Sequence, residues 1–494
     1  MEGNSCLTKI SEISPQLYEN SPSQTKSNED YMINPFRKKS IVACCAVLSI
    51  AAASVHMLAQ ERRTPPPLPQ PPANIAYDLI LQNGHVIDDK NHIDSVMDVA
   101  IKDGKIAKVA QHLASSDALK TIDVKGLYVT PGLIDLHVHV YAGTGERNSY
   151  AGDNSLPPDG FTFRVGVTTV VDAGCSGWRN FEDFKDKIID RSKTRILVML
   201  NIVGSGMRGG KYENNQADMD GEATAKMALK YPNVVVGVKT AHYAGPEWTP
   251  VEQAVIAGTK ANIPVMVDFG ENHPDTRPLY DLLNKKLRPG DIYTHMYSGL
   301  RNEQDPVTMG PSKAFIDGRK RGIFFDAGTG GGSFKFSLAV PMVKDGFIPD
   351  SLSTDLHIGS MNGATHDELN VASKMMAIGL PLKEAVAEMT SHPAREIKHE
   401  ELGNLSVGSV ADVAVLRLEE GHFGFTDMVN GRVDGTKRLN AEITIKDGKI
   451  VYDLNGMEAA KWDAAPDPNA IYGYRWSAFA PRVRQQQPSD NNRH

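Results

Sequence analysis

The chain has 494 residues, of which 41% are hydrophobic and 23% charged, with a formal net charge of −7. This balance excludes a disordered chain, a fibrous repeat and a polytopic membrane protein. The acidic charge and the lack of a long Lys/Arg-rich tract exclude a typical nucleic-acid-binding protein. Of four cysteines, only Cys175 lies beyond residue 60, so no disulfide framework can form within the main body.

The first 75 residues predict an export segment followed by a linker. A basic triplet at residues 37–39 precedes residues 40–59, which contain no Asp, Glu, Lys or Arg. The apolar part, residues 41–53, is short for a bilayer helix and typical of a secretory signal. We therefore expect residues 1–60 to be an export signal or, as the alternative, a membrane anchor through residues 41–59.

The export segment is unusually long before its basic triplet, which favours a start at Met32 over Met1. Residues 61–75 are Pro-rich and predict a semi-rigid extended linker. Either form of the segment places the body outside the cytoplasm, in the periplasm or extracellular space, or at a membrane surface.

One hexapeptide, IKDGKI, occurs twice, at residues 101–106 and 445–450. Each copy has the strand, Asp-Gly turn and strand of a β-hairpin. Because the copies lie near opposite ends of the body, we expect a small flanking β-sandwich built from residues 76–130 and 401–460. Residues 461–494 form a polar carboxyl-terminal tail.

Eight apolar, strand-like runs alternate with helical stretches between the two hairpins. Most are nearly continuously apolar, as expected for parallel strands covered on both faces. The runs are residues 133–140, 167–173, 196–202, 234–240, 263–269, 292–296, 323–327 and 352–355. Eight alternations predict an α/β fold, a (β/α)8 TIM-type barrel over residues 131–400.

Five of these runs end in side chains that can bind metals or transfer protons, and barrel active sites lie at the carboxyl ends of the strands. His137 and His139 are two residues apart on the first run, so both can reach one cation. Lys239 ends the fourth run, where it is either salt-bridged at the rim or an amine that can take up carbon dioxide. The fifth, sixth and eighth runs end in Asp268, His295 and Asp355.

Asp355 is the predicted catalytic residue. A carboxylate at this position can bind a metal, accept a proton from activated water and return it to a leaving group. Taken singly, each of these groups also fits a rim residue bonded to a neighbouring loop. Their occurrence at five strand ends favours a metal centre.

These motifs resemble the amidohydrolase superfamily. Residues 129–139 (VTPGLIDLHVH) are similar to its first-strand signature. Further segments resemble its amidohydrolase/deacetylase branch, a relative of dihydroorotases: residues 166–174, 236–239, 288–291, 294–295, 353–357 and 402–413. The resemblance covers residues 76–456. It implies a hydrolase with one or two divalent metals, usually Zn²⁺, bridged by a Lys239 carboxylated by CO2, with His137, His139, His295 and Asp355 as further ligands.

Two positions depart from the family pattern. Asp268 stands where a His is usual. A carboxylate oxygen can still bind zinc or a harder cation, so Asp268 is kept as a predicted ligand, although the second site could instead be half-occupied or empty. Thr329 stands where relatives commonly have a His. Together with His242 and His357, Thr329 is predicted to line the substrate pocket.

The sequence therefore predicts an exported metal-dependent hydrolase of an amide or ester bond in a small molecule, of the N-acyl or O-acyl deacetylase type. One alternative is a cyclic-amide hydrolase of the dihydroorotase or hydantoinase type. Others are a degenerate barrel that serves as a binding module, and a membrane-tethered scaffold. The sequence leaves open whether the chain forms a homo-oligomer.

Overall fold

The computed structural model describes residues 75–270 and 272–463. The predicted export segment, nearly all of the predicted linker and most of the polar tail lie outside the described residues. Within the described ranges, no helix is both long enough and apolar enough to cross a membrane.

The strands are named in chain order. They are β1 (Tyr77–Asp88), β2 (Ile93–Lys102), β3 (Lys105–Ala110), β4 (Ala118–Asp123), β5 (Tyr128–Pro131), β6 (Leu133–Val138), β7 (Val167–Gly177), β8 (Arg195–Asn201), β9 (Val235–Thr240), β10 (Val265–Val267), β11 (Ile292–Tyr293), β12 (Phe324–Phe325), β13 (Val413–Thr426), β14 (Arg432–Lys446) and β15 (Lys449–Asp453).

The α-helices are named in the same way. They are α1 (Phe181–Lys187), α2 (Gly210–Glu213), α3 (Gly221–Lys230), α4 (Thr249–Ala261), α5 (Leu279–Asp281), α6 (Lys313–Lys320), α7 (Phe336–Lys344), α8 (Ile358–Met361), α9 (Glu368–Ala377), α10 (Leu382–Ala387) and α11 (Ser391–Glu396). A polar side chain caps the amino end of several of them, as Asp220 does for α3 and Ser312 for α6.

Both ends of the described chain contribute to one mixed sheet of eight strands. Its order is β15-β14-β13-β5-β1-β2-β3, with β4 also paired to β1, and the antiparallel pair β5–β13 joins the two chain ends. Apolar side chains from both ends share one core, for example Leu81 and Val129 with Val413 and Ile443. The two parts of this unit are therefore stabilised by burying each other's apolar face.

Both IKDGKI copies form hairpins, β2–β3 and β14–β15, as predicted. In each turn the Asp and the Gly have positive φ, with values of 49° and 74° at Asp103 and Gly104 and 51° and 75° at Asp447 and Gly448. That conformation is the one that Asp-Gly favours in two-residue hairpins. A Cβ on Gly448 would lie 2.7 Å from Cα of Gly104, so the two turns contact each other.

The strands β6 to β12 form a second sheet, wholly parallel, in which each strand pairs with the next along the chain. Helices connect most of these strands, which confirms the predicted α/β organisation. The eighth predicted run is not a regular strand. Ser351 instead bridges Asp326 beyond β12, and Leu356 bridges Val138 of β6. The two border strands of the sheet therefore contact the same segment, and their carboxyl ends surround one pocket.

Candidate active site

The carboxyl ends of the parallel strands bring three potential metal ligands together. One ligand atom from each of His137, His295 and Asp355 lies within 4.8 Å of the other two, and all three side chains are buried. His137 belongs to β6, His295 follows β11, and Asp355 lies in the bridging segment before Leu356. Two imidazoles and a carboxylate are a donor set that zinc and related cations accept.

Hydrogen bonds orient His137 with a lone pair towards this cluster. Thr294 donates its hydroxyl proton to Asp326 Oδ2 at 2.6 Å, so its oxygen is left to accept from Nδ1 of His137 at 3.1 Å. The proton of the neutral ring is thus on Nδ1, and Nε2 faces Asp355 Oδ1 at 3.5 Å. Burial and the charge of Lys239 lower the pKa of His137 to about 3, which keeps Nε2 unprotonated at neutral pH.

His295 is oriented in the same sense. Its Nδ1 donates to the carbonyl oxygen of Gly328 at 2.7 Å, and a carbonyl oxygen can only accept. In the neutral ring the lone pair is therefore on Nε2, on the side of the cluster.

His139 lies beside the cluster with its Nε2 2.8 Å from Asp355 Oδ1. Cys175 donates its thiol proton to the carbonyl oxygen of Tyr150 at 3.0 Å, so its sulfur can accept from Nδ1 of His139 at 3.3 Å. In the neutral ring a lone pair would then face a carboxylate oxygen. That pair of acceptors is stable only with a proton or a cation between them.

Asp355 is 7% exposed and is surrounded by these histidines. Burial would raise its pKa, but His137 and His139 hold the pKa well below the usual range, so the carboxylate stays ionised. Its second oxygen lies against Gly330, where a Cβ would be only 1.7 Å from Oδ2. The glycine-rich loop therefore provides the space that Asp355 occupies.

Lys239 ends β9 inside the pocket and is 1% exposed. Its Nζ lies 3.0 Å from Nε2 of His137 and 3.5 Å from the sulfur of Met266. Burial lowers the pKa of this amine, although Asp268 and Asp355 partly offset that effect. Lowering the pKa increases the fraction of neutral amine, the form that reacts with carbon dioxide.

Asp268 lies on the other side of the pocket from Asp355. Other side chains of the protein contact both of its oxygens. Arg301 donates from Nη2 to Oδ1 at 2.8 Å, while Nε2 of His242 lies 3.2 Å from Oδ2. Nε2 of His295 is also 3.4 Å from Oδ2. Burial would raise the pKa of Asp268, but His295 and Arg301 hold it well below the usual range.

His242 connects Asp268 to a second buried carboxylate. Its Nδ1 lies 2.7 Å from Oε2 of Glu213, at the end of α2. Burial lowers the pKa of His242, yet the hydrogen bonds with Asp268 and Glu213 raise it to about 10. The ring of Tyr150 stacks on His242 with centroids 5.5 Å apart. Tyr150 thereby forms an aromatic wall of the pocket.

The other two predicted pocket residues bond mainly to backbone. Thr329 is buried, and its hydroxyl donates to the carbonyl oxygen of Ser353 at 3.3 Å. His357 caps α8 through Nδ1, which accepts from the N–H of Gly359 at 3.1 Å. Its Nε2 is buried and has no hydrogen-bond partner among the described residues. Of these two, His357 retains a nitrogen that a ligand can use.

Three residues of the pocket have left-handed backbone conformations that are rare for non-glycine residues. The φ angles are 54° at His242, 63° at His295 and 48° at Asp355. Such conformations persist where the surrounding structure fixes them, and they concentrate at functional sites.

Several residues that shape this pocket were not predicted from the sequence. They are Tyr150, Glu213, Thr294, Arg301 and Asp326. Only the presence of a group such as Arg301 could be expected from the sequence. Asp268 stands where a His is usual, and a buried carboxylate at that position requires a cationic partner. The others come from segments whose local sequence carries no ligand spacing.

Comparison with known proteins agrees with this geometry. The model of the amidohydrolase family matches residues 327–452. A deacetylase from Brucella anthropi is 31% identical over 361 residues, which cover 70% of this chain and 86% of that protein. The chain belongs to the amidohydrolase family. The predicted superfamily resemblance is thus confirmed, and this amidohydrolase is a metal-dependent hydrolase that acts on carbon–nitrogen bonds.

Solved structures give the same result for the fold. The amidohydrolase resembles the crystal structure of an adenine deaminase with a TM-score of 0.69 and 28% identity, covering 76% of this chain and 100% of that one. It resembles the crystal structure of a dihydroorotase with a TM-score of 0.66 and 29% identity, covering 76% and 99%.

Proposed function

We propose that this amidohydrolase is an exported deacetylase that hydrolyses the amide or ester bond of a small N-acyl or O-acyl compound. The observation that carries the proposal is the buried cluster of His137, His295 and Asp355, whose ligand atoms lie within 4.8 Å of one another. The relative from Brucella anthropi named a deacetylase supports the choice of bond. The apolar, uncharged residues 41–53 behind a basic triplet support export, either by cleavage or with residues 41–59 as an anchor.

A divalent cation fits the cluster, and Zn²⁺ suits its nitrogen-rich donors best. His137 and His295 direct lone pairs to it, and the short approach of His139 to Asp355 accommodates a proton or a cation between the two groups. A cation bound there would lower the pKa of water and polarise the carbonyl oxygen of the substrate. Lys239, as a carbamate formed from its neutral amine and CO2 with release of a proton, would add an anionic oxygen ligand.

Asp355 would transfer the proton. It accepts a proton from the attacking water, whose oxygen forms a bond with the carbonyl carbon. As the carbon–nitrogen or carbon–oxygen bond breaks, the same carboxyl returns that proton to the leaving amine or alcohol. The products are a carboxylic acid and the deacylated compound. The low pKa of Asp355 keeps it ready to accept at neutral pH.

The segment from Ser351 to Leu356 supports a further structural proposal. Because it bridges Asp326 on one side and Val138 on the other, we propose that it closes the parallel sheet into a (β/α)8 barrel. Such closure would fix Asp355 opposite His137 and His139.

A second candidate function is hydrolysis of a cyclic amide, which the structural likeness to a dihydroorotase supports. Both reactions use the same catalytic groups, so only a test of substrates can distinguish cyclic-amide hydrolysis from deacetylation. Ring-opening of dihydroorotate and hydantoins, measured beside release of acetate from N-acetyl and O-acetyl compounds, separates them. Turnover of the cyclic amides alone would replace the deacetylase proposal.

The substitution Asp355→Asn tests the mechanism directly. Asn keeps an oxygen for the cation but cannot accept the proton, so turnover should fall by about 10³-fold or more while bound metal is retained. Asp434→Asn, an exposed carboxylate of β14, is the control and should match the wild type. Near-normal turnover in the Asp355 variant would refute the assigned role.

A further inference from the structure

We propose that the pocket binds a single divalent cation, because the guanidinium of Arg301 takes the place of a second one beside Asp268. This inference rests on the proposed metal-dependent function and specifies its stoichiometry. Asp268 then anchors an ion pair at the end of β10 and is not a metal ligand. Arg301 becomes a positioning residue that keeps this side of the pocket neutral.

Arg301 is fixed in place and is only 5% exposed. Besides its bond to Asp268, it donates from Nε to the carbonyl oxygen of Gly270 at 3.0 Å. The buried Glu303 accepts the backbone N–H of Arg301 at 2.7 Å and the hydroxyl of Ser298 at 2.5 Å. The loop after His295 is thus built around the guanidinium, so the ion pair is not a chance surface contact.

The contacts of Asp268 leave little capacity for a metal. Arg301 binds Oδ1, and the ring of His242, itself held by Glu213, approaches Oδ2 at 3.2 Å. A cation that bound Asp268 would compete with these partners for both oxygens. Displacing Arg301 would leave a fixed positive charge buried without its carboxylate, which is strongly unfavourable.

Charge balance leads to the same stoichiometry. Asp268 also approaches Nε2 of His295 at 3.4 Å, but it is paired with Arg301. Asp326 lies on the Nδ1 side of His137 at 3.8 Å, away from the cluster. On the lone-pair side of the two histidines, the remaining negative groups are Asp355 and the proposed carbamate of Lys239. Their two charges match one divalent cation. A second cation would add two positive charges beside a guanidinium that stays charged at every working pH, in a pocket where burial strengthens repulsion.

Counting bound metal tests the inference without an activity assay. Metal-free protein is saturated with Zn²⁺ or Mn²⁺, and the ions per chain are measured by mass spectrometry. Electron paramagnetic resonance separately distinguishes an isolated Mn²⁺ from a coupled pair. We expect one ion in the wild type, one in Asp268→Asn, and two in Arg301→Met, where Oδ1 of Asp268 is freed to bind the second.

Arg319→Met is the matched control. Arg319 pairs with Asp350 at 3.1 Å, at the other end of the bridging segment from Asp355, and its loss should leave the count at one. Two ions in the wild type, loss of the single ion in Asp268→Asn, or an unchanged count in a folded Arg301→Met would each overturn the inference. If Arg301→Met does not fold, the wild type and Asp268→Asn decide. No ion in any variant would overturn the proposed function itself.

Discussion

The two sides of the pocket hold similar carboxylates and differ in what surrounds them. Asp268 follows β10, Asp355 lies in the segment that bridges β6, and the two side chains are 6% and 7% exposed. Asp355 faces the Nε2 atoms of His137 and His139, whose Nδ1 atoms bond to Thr294 and Cys175. Asp268 faces a guanidinium at 2.8 Å. Asp355 therefore lacks a fixed cation, whereas Asp268 already has one in Arg301.

This difference teaches that burial at a strand end does not by itself identify a metal ligand. A buried carboxylate must be neutralised, and either a metal or a side chain can do so. Whether a metal or a side chain neutralises the carboxylate depends on the imidazoles beside it. A hydrogen bond that fixes the proton of an imidazole on one nitrogen also fixes the direction of the lone pair on the other.

After Asp355→Asn, the largest effect is expected from Lys239→Ala, which would remove the carbamate from the cation side of the pocket. Turnover should fall by about 10²-fold or more and cation affinity by roughly 10-fold to 100-fold, as for lost metal-site groups. Protein equilibrated with ¹³C-bicarbonate should give a carbamate signal by nuclear magnetic resonance that is absent in the variant. Lys374→Ala, which removes another buried lysine, should keep that signal. A wild type without the signal contradicts the carbamate.

A smaller loss is expected when the space beside Asp355 is filled. In Gly330→Ala the new Cβ would lie 1.7 Å from Oδ2 of Asp355, so the carboxylate or the loop must move. A displacement of about 1 Å at a reacting group costs on the order of 10²-fold in rate. Gly332→Ala, whose Cβ would contact nothing within 4 Å, should retain full turnover. Equal activity of the two variants would mean that Asp355 does not need its present position.

Much of the fold could be predicted because its signals are local and periodic. The repeated Asp-Gly turns fixed two hairpins, and near-continuous apolar runs indicated parallel strands. The eighth run shows the limit of this reasoning. Residues 352–355 are partly apolar, but the β-bridges lie on either side of them, at Ser351 and Leu356, because neighbouring segments determine strand pairing.

The site could be predicted only where ligand-type residues end a strand. His137, His295 and Asp355 are such residues, and they do meet in space. The sequence could indicate that Asp268 needs a cationic partner but not which residue supplies it. Arg301, which pairs with Asp268, and Glu213, which pairs with His242, lie 33 and 55 positions away from Asp268 along the chain. The two sides of the pocket differ in the direction of their hydrogen bonds. These directions depend on groups such as Thr294 and Gly328, which are not ligand-type residues and so do not stand out in the sequence.

The smallest expected effect concerns the pH dependence of stability on the Asp268 side. The pKa of His242 is raised from 6.5 to about 10, so its contribution is complete below pH 6.5 and is lost as pH rises through about 10. The side chain of His242 is 38% exposed, so solvent weakens its ion pairs. The melting temperature of the metal-free protein should therefore fall over this range only slightly more, by about one degree, in the wild type than in His242→Gln. His357→Gln is the control, since burial lowers the pKa of His357 to about 4 and the ring stays neutral throughout. Parallel curves for the wild type and His242→Gln would show that the imidazole is not charged beside Asp268, and that Arg301 alone neutralises this carboxylate.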